Sequence, residues 1–571
     1  MYDTVIKGGT IYDGSGAEAF TADIALAQGR IVEVGKVTGP SREVIDASGL
    51  MVTPGFVDIH THYDGHATWA ERISPSSTHG VTTVVTGNCG VGFAPCRPQD
   101  RDELVRLMEG VEDIPGLVMT EGLAWDWESF PDYLDAIDRR RHDLDIAAQL
   151  PHSALRVFVM GERAVRREAA TAEDIAAMAE LARRSIAAGA LGFTSSRSLL
   201  HKTKTGESIP SLGAQEAELT AIALGVKAGG GGVLEMATDF SFTGADLAAE
   251  IALYRRVVKA SGLPMSLAIA FVNERPDLCE ALVREVDAAN ADGAVIKLQT
   301  VGRSICILMG FDLSLHPFMK CPTYRELEAL DLAARAKRLA EPQIRAAILA
   351  EAAQPQFQHG LSQSAAKLYP LGDPPNYEPR PSDSIAARAQ ASGQSPSAVL
   401  YDVMMQNDGK GLIYFPFTNY STGDFNQFPE LMRNKNTLLG LGDGGAHVGV
   451  ICDASQPTFM LSYWGRDRDG ERLSLPFLVK ALTSANAEAV GLSDRGRIAP
   501  GRKADLNLID FDRLGLHAPR ALYDLPAGGR RLTQDADGYV ATLVSGEVTY
   551  REGEATGHLP GRLVRGRQNA S

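Results

Sequence analysis

Hydrophobic and polar positions follow two different patterns along the chain. In residues 1–50, β-branched residues alternate with polar ones, in segments such as DTVIKGGTIYDG and TADIALAQGRIVEVG. A period of two that is punctuated by Gly and Asp predicts short antiparallel strands. The same alternation of apolar and polar residues recurs only near the C-terminal end, in ADLNLIDFD and GYVATLVSGEVTY. We therefore predict one small β-sandwich domain that is built from residues 1–50 and 493–571.

Between these ends, residues 51–492 alternate short apolar runs with amphipathic helical segments. Eight runs are candidate strands: GFVDIH, VTTVVTG, DIAAQLP, ALGFTSS, GGVLEMA, PMSLAIAF, GLIYFPF and TLLGLGD. TAEDIAAMAELARRSIAAGA is typical of the helices between them, with a Thr N-cap and an acidic first turn. Eight such units predict an α/β fold with a TIM-type (β/α)8 barrel.

Two stretches fit this repeat poorly. Residues of about 301–397 are rich in helix formers and then in Pro and Asp, so we expect an insertion over the barrel mouth between the sixth and seventh strands. The stretch from about 98 to 140 contains WDWESFPDYLDAI. Its aromatic residues fit either a cover over the active site or a helix that is buried on the side of the barrel.

Composition narrows the functional classes. The formal net charge of −15 argues against binding to nucleic acid, which needs a basic face. No apolar run approaches the roughly 18 residues of a membrane span, and the N-terminus shows no secretory signal, so we expect a cytoplasmic protein without a membrane partner. Six scattered cysteines are too sparse for a disulfide framework and predict reduced thiols. A homo-oligomer is compatible with the sequence.

The strongest chemical signal is PGFVDIHTHYD at residues 54–64. A hydrophobic strand ends there in His60, Thr61 and His62. Residues two apart on a strand point to the same face, so both imidazoles are aimed at one point. That point lies at the carboxyl end of a strand, where barrel active sites form. We predict a metal site rather than two histidines that are merely hydrogen-bonded in the core.

Four segments together resemble the amidohydrolase superfamily, in particular its N-acyl-D-amino-acid deacylase branch. They are PGFVDIHTH, GNCGVGFAP, GDGGAH and SDRGRIAPGRKADLNLID. The resemblance implies a (β/α)8 barrel with a small β-sandwich from both chain ends. It also implies that Cys89 in GNCG is a metal ligand, which suits a thiolate. Asp443 in GDGGAH matches the aspartate after the eighth strand, which in this superfamily contacts the metal and acts as the general base.

The chain departs from the family pattern on two strands. The fifth and sixth strands of the family normally each end in a metal-binding histidine, whereas GGVLEMATDF and PMSLAIAFVNE contain none. Three interpretations stay open. One divalent metal, with zinc favoured, is held by His60, His62 and Asp443 with Cys89 in reach; or Glu235 replaces a histidine and admits a harder metal or a second ion; or the site has degenerated and the protein only binds a small ligand.

Other histidines differ in their expected roles. We expect His447 to be a ligand, a partner of a ligand or a transition-state donor. His152 in LPHSALR is a candidate oxyanion donor, although a turn held by backbone hydrogen bonds explains it nearly as well. We assign His201, His316 and His359 to the surface or to the insertion.

The predicted function is metal-dependent hydrolysis of a C–N amide-type bond in a small acyl-amide substrate. The branch resemblance suggests N-acyl-D-amino acids, and the changed fifth and sixth strands leave cyclic amides and carbamates as alternatives. An amino-acid carboxylate would need a bidentate donor, for which Arg303 and Arg197 are candidates because they follow predicted strands. Asp443 would take a proton from the attacking water and return it to the departing nitrogen.

Overall fold

A computed structural model of the chain describes residues 1–239, 246–358 and 360–566. Its strands are β1 (Tyr2–Ile11), β2 (Phe20–Ala27), β3 (Arg30–Gly35), β4 (Ser41–Asp46), β5 (Met51–Pro54), β6 (Phe56–Asp58), β7 (Val81–Thr86), β8 (Asp145–Ala148), β9 (Leu150–Pro151), β10 (Gly192–Ser196), β11 (Val233–Ala237), β12 (Met265–Ala268), β13 (Ile296–Thr300), β14 (Cys306–Met309), β15 (Tyr369–Pro370), β16 (Ile413–Pro416), β17 (Thr437–Leu439), β18 (Leu506–Ile509), β19 (Gly515–Leu516), β20 (Arg520–Leu525), β21 (Gly529–Thr533), β22 (Ala536–Asp537), β23 (Tyr539–Val544), β24 (Glu547–Arg551) and β25 (Glu554–Ala555).

The α-helices are α1 (His66–Trp69), α2 (Arg101–Val111), α3 (Gly116–Gly122), α4 (Phe130–Asp138), α5 (His152–Met160), α6 (Glu162–Val165), α7 (Ala172–Ala187), α8 (Glu216–Ala228), α9 (Leu247–Ser261), α10 (Asp277–Ala291), α11 (Pro322–Arg325), α12 (Leu332–Leu339), α13 (Pro342–Ala352), α14 (Ile385–Ser392), α15 (Pro396–Met404), α16 (Gln406–Gly409), α17 (Phe428–Arg433), α18 (Gln456–Phe459), α19 (Leu475–Lys480) and α20 (Asn486–Ala489). The predicted helix start at Thr171 is confirmed, since its hydroxyl accepts from the backbone N–H of Asp174 and caps α7. No helix among the described residues is long and apolar enough to cross a membrane.

The two chain ends build one nine-stranded sheet, in the order β25-β24-β23-β18-β5-β1-β2-β3 with β4 beside β1. The junction is β5, which pairs antiparallel with β18 and parallel with β1. Alternate residues of these strands are buried together in one apolar core, which includes Ile6, Ile24, Val52, Leu506 and Leu543. The alternating patterns at both ends of the sequence therefore belong to one additional domain.

The middle of the chain has a TIM-barrel-type α/β architecture. One parallel sheet has the order β6-β7-β8 and another the order β9-β10-β11-β12-β13-β17, so consecutive strands are neighbours. Only Gln149 separates β8 from β9, which together form the third strand of the series. The carboxyl ends of all these strands lie at one rim, because parallel neighbours run in the same direction.

The seventh strand differs from the prediction. β13, from the VIKLQT segment, takes that place, whereas GLIYFPF forms β16 and pairs antiparallel with β14 and β15. The insertion therefore lies between the seventh and eighth strands. The VIKLQT segment was not counted among the eight barrel strands, although Arg303 was placed after it, because Lys297 and Gln299 break its apolar run. β16 looked like a barrel strand because it is buried in a second core, made by the insertion itself with Phe311, Leu339 and Tyr401.

Candidate metal centre

His60 and His62 follow β6 and face the same point, as the spacing predicted. Both side chains are buried, and their ring centroids are 5.4 Å apart. Thr61 between them turns away and donates to the carbonyl of Val85 on β7. The alternation of the strand therefore continues past its end and directs both imidazoles to the rim.

Asp443 joins these histidines from the segment after β17. Its Oδ1 lies 3.4 Å from His60 Nε2 and 3.6 Å from His62 Nε2. Its backbone N–H donates to the carbonyl of His60 at 3.0 Å, and its φ of +47° is in the left-handed region. A non-glycine residue is held in that region only where the surroundings fix it, and such positions cluster at functional sites.

Cys89 completes the group from the turn after β7. Its Sγ lies 3.3 Å from His60 Nε2, and the ligand atoms of His60, His62 and Cys89 lie within 4.8 Å of one another. Gly90 allows the turn to sit this deep, because a Cβ there would be 2.8 Å from the Cα of Ser195. Imidazole and thiolate ligands on one buried point are a set that zinc prefers.

Glu235 on β11 borders the same point from the fifth strand. Its Oε2 accepts from the backbone N–H of Cys89 at 3.0 Å, and its Oε1 is 4.0 Å from His60 Nδ1. That Oε1 is buried and has no hydrogen-bond partner among the described residues. We name His60, His62, Cys89, Glu235 and Asp443 the metal-site cluster.

The charges around the cluster are out of balance. Asp58, Asp64, Glu112 and Glu235 are at most 5% exposed. Within the described chain, Glu112, Glu235 and Asp443 form ion pairs only with histidines. Buried anions without cationic partners are costly. A divalent cation among these groups would remove that cost, so the donor set fits a bound metal.

The pKa values of the metal-free cluster express the same imbalance. Burial raises the pKa of Glu235 to about 8 and lowers the pKa of His60 to about 4. Burial would also lower the pKa of His62, but the carboxylates of Glu112 and Asp443 raise it to about 9. Burial, with the charge of Glu235, raises the pKa of the Cys89 thiol well above its usual value. A cation beside Sγ favours the thiolate instead.

Three residues of this region were missed or misplaced by the sequence analysis. Glu112, just after α2, places Oε1 3.2 Å from His62 Nδ1, and Gln299 on β13 places Oε1 2.8 Å from His60 Nδ1. His201 was assigned to the surface or to the insertion, but it lies in the loop after β10 within electrostatic reach of His447 and His62. The HxH spacing pointed to His60 and His62, whereas nothing in the sequence pairs Glu112 or Gln299 with a distant ring nitrogen.

The remaining predicted histidines are distributed differently. His447 is half-buried beside the cluster, has a φ of +48°, and donates its backbone N–H to the carbonyl of Glu112 at 2.5 Å. His152 begins α5, and its ring nitrogens are both occupied, by Ser195 Oγ and Glu218 Oε1 at 2.8 Å each. This arrangement gives His152 a buried structural role and does not fit an oxyanion donor. His316 is buried in the insertion, and His359 lies outside the described residues.

Both predicted arginines already form ion pairs within the described chain. Arg197 is held by Glu250 through two hydrogen bonds of 2.8 and 2.9 Å. Arg303 is buried, donates to Asp453 at 2.8 Å, and lies over the ring of Tyr377 at 4.2 Å. Both arginines were candidates because they follow strands, but each guanidinium is paired with a carboxylate of the protein.

The model of the amidohydrolase family matches residues 43–550. D-aminoacylase of Alcaligenes xylosoxydans xylosoxydans is 37% identical over 194 residues, which are 34% of this chain and only 37% of that protein. N-acyl-D-glutamate deacylase of the same organism is 25% identical over 590 residues, which are 99% of this chain and 96% of that protein.

Among solved structures, N-acyl-D-glutamate deacylase from Bordetella bronchiseptica, complexed with zinc and a phosphonate inhibitor, has a TM-score of 0.63 and 22% identity. The alignment covers 99% of this chain and 99% of the chain of the deacylase. At this identity the likeness concerns the fold. Because the family model covers most of the sequence, the chain belongs to the amidohydrolase family, and the resemblance to its D-aminoacylase branch is confirmed.

Proposed function

We propose that this protein hydrolyses the amide C–N bond of N-acyl-D-amino acids, using a divalent metal that the metal-site cluster holds. The convergence of His60 Nε2, His62 Nε2, Asp443 Oδ1 and Cys89 Sγ on one buried point carries the proposal. The substrate class follows the names of the relatives, D-aminoacylase and N-acyl-D-glutamate deacylase.

We also infer that the eight parallel strands close into a (β/α)8 barrel. His62 donates its backbone N–H to the carbonyl of Gly444 at 2.7 Å, and Asp443 donates to the carbonyl of His60 at 3.0 Å. These two bonds join the segments after the first and last strands of the series. Closure at this rim accounts for the meeting of residues from opposite ends of the sequence.

The ligands we assign are His60 and His62 through Nε2, Cys89 through Sγ, and Asp443 through Oδ1. Two imidazoles and a thiolate favour zinc, and the solved deacylase with zinc supports the same ion. Glu235, whose Oε1 has no hydrogen-bond partner among the described residues, is the fifth candidate ligand and the one that would admit a second ion.

In the reaction, a bound divalent metal polarises the substrate carbonyl and makes a water molecule more acidic. Asp443 accepts the proton of the attacking water. In the metal-free cluster, burial would raise the pKa of this carboxyl, but the hydrogen bond of His62 and the charges of His60 and His62 hold it well below its usual range. With His62 Nε2 on a metal, the cation itself would keep Asp443 ionised. Asp443 then returns the proton to the departing nitrogen, and His447 at the edge of the cluster is placed to donate to the developing oxyanion.

A second candidate is hydrolysis of a cyclic amide or a carbamate. The pairing of Arg197 with Glu250 and of Arg303 with Asp453 favours it, because neither cation is free for a substrate carboxylate. A substrate without a free carboxylate needs no such anchor.

The test is the double variant His60→Asn and His62→Asn, with the exposed His517→Asn as control. We expect the wild type and the control to hold one or two metal ions and to hydrolyse one compound of a panel of N-acyl-D-amino acids, cyclic amides and carbamates. We expect the double variant to do neither. Hydrolysis that survives in the double variant would contradict the mechanism through His60 and His62. A wild type that binds no metal and hydrolyses nothing would contradict the proposal and favour a ligand-binding protein.

A further inference from the structure

Glu112 lies where α2 ends and is buried to 1% exposure against His62. Its Oε1 is 3.2 Å from His62 Nδ1, while the other ring nitrogen of His62, Nε2, faces Asp443. The carboxylate therefore approaches the imidazole from the side away from the ligand position. The two groups are within ion-pair distance, although their geometry is not that of a hydrogen bond. The negative charge beside Nδ1 favours the tautomer that has its proton there and leaves Nε2 free for a metal.

The two histidines receive different partners at Nδ1. His60 faces the neutral amide oxygen of Gln299, which belongs to β13. His62 faces an anionic carboxylate from outside the strands. A carboxylate makes the imidazole more electron-rich than an amide does, and such partners orient the ring and tune the metal.

Glu112 is fixed in place by contacts on both sides. Its backbone carbonyl accepts from the N–H of His447 at 2.5 Å, in the segment that also carries Asp443. Two residues earlier, Gly110 lies so close to the loop after β10 that a Cβ would be 2.3 Å from the carbonyl carbon of Thr203. The end of α2 is thus held between the loops after the fourth and eighth strands, as an active-site cover would be.

We infer that Glu112 is a positioning residue: it holds His62 in the orientation and tautomer that bind metal, and thereby couples the cover helix α2 to the metal site. This inference rests on the proposed function, since it assumes that Nε2 of His62 is a ligand. It adds a residue to that site which neither a sequence motif nor the HxH spacing indicates.

The experiment measures metal affinity by competition with a chelator and the visible spectrum of the cobalt-substituted protein, both without substrate. The variants are Glu112→Ala, which removes the acceptor, and Glu112→Gln, which keeps an acceptor oxygen but no charge. Glu121→Gln, an exposed position on α3 of the same cover, is the matched control. We expect Glu112→Ala to weaken metal binding by about 10- to 100-fold and to alter the cobalt spectrum. We expect a smaller loss for Glu112→Gln and no change for Glu121→Gln.

Equal metal affinity and an equal spectrum for Glu112→Ala and Glu121→Gln would overturn the inference. If Glu112→Ala does not fold, the comparison of Glu112→Gln with Glu121→Gln decides in the same way, since equality again overturns it. The proposed function fails separately, in a wild type that binds no metal, and this outcome is visible before any variant is compared.

Discussion

The metal-site cluster and a second buried group of charges, near the third strand, both contain buried carboxylates, but the positive charge that faces those carboxylates differs. The second group, which we name the strand-three ion cluster, consists of Asp145, Arg495, Lys503 and Asp505. Asp145 on β8 accepts from Arg495 at 2.7 Å and pairs with Lys503 at 2.9 Å, and Lys503 also pairs with Asp505 at 2.7 Å. Two cations thus face two buried carboxylates, whereas the metal-site carboxylates face only histidines.

The presence or absence of a lysine or arginine partner separates the pKa of Asp145 from those of Asp58 and Glu235. Burial would raise the pKa of Asp145, but Lys503 and Arg495 hold it below the ordinary value. Burial raises the pKa of Asp58 to about 7 and that of Glu235 to about 8, because no lysine or arginine among the described residues compensates. The strand-three ion cluster is complete within the chain and joins the parallel strands to the C-terminal segment. The metal-site cluster becomes balanced only when a cation is bound.

The largest effect that separates the clusters is expected for Asp443→Asn. The amide keeps the shape but cannot accept the proton of the attacking water. We expect kcat to fall by about 10²- to 10⁴-fold, the usual contribution of general acid–base catalysis, with the fold retained. Steady-state kinetics and thermal melting check this, with the exposed Asp469→Asn as control. If Asp443→Asn keeps the kcat of the wild type, Asp443 is not the general base.

For Asp145→Ala, in the strand-three ion cluster, we expect the opposite: a loss of stability without a loss of metal binding. Removing this carboxylate leaves Arg495 and Lys503 buried with too little negative charge, which costs about 3–5 kcal/mol when a buried pair is broken. Urea unfolding should show this loss, while the metal affinity of the folded variant stays that of the wild type. A loss of metal binding without a loss of stability would invert the assignment of the two clusters.

Acid titration sharpens the same variant. Because the folded-state pKa of Asp145 is lowered, its stabilising contribution is complete above its unfolded pKa of about 4 and is lost as the pH falls through the folded value. As the pH falls below about 4, the free energy of unfolding should therefore decrease less for Asp145→Ala than for the wild type. Parallel curves for the two proteins in this range would contradict the lowered pKa.

A smaller effect is expected for Glu235→Gln in the metal-site cluster. The amide oxygen can still accept from the backbone N–H of Cys89, while an uncompensated buried acid is removed. We expect the metal-free protein to gain about 1 kcal/mol or more at neutral pH, since a raised carboxyl pKa costs stability as the pH rises. We also expect weaker metal binding. Melting and chelator competition check both, and a variant that loses stability but keeps its metal affinity would contradict the role of Glu235.

These two clusters also mark what the sequence could predict. His60, His62 and Asp443 were predictable because each follows an apolar strand of recognisable pattern, and the termini were predictable from their period of two. The strand-three ion cluster was not predictable, because Asp145 and Arg495 are far apart in the sequence and meet only in the folded chain. β13 was hidden by the very residue, Gln299, that faces His60. The contacts of Glu112 and Gln299 with the histidines depend on packing between segments that are distant in the sequence, which local patterns do not encode.

The smallest expected effect concerns Arg197, the predicted carboxylate anchor, in the variant Arg197→Gln. Its guanidinium is held by Glu250, and both side chains are partly exposed, at 24% and 21%. Breaking such a pair should cost about 1 kcal/mol or less, and KM should not change because no substrate contact is lost. Glu250→Gln is the matched control, since it breaks the same pair from the other side and should have the same effect on stability. A large rise in KM for Arg197→Gln that Glu250→Gln does not share would show that Arg197 leaves its partner to bind the substrate, and would favour a substrate with a free carboxylate over a cyclic amide or carbamate.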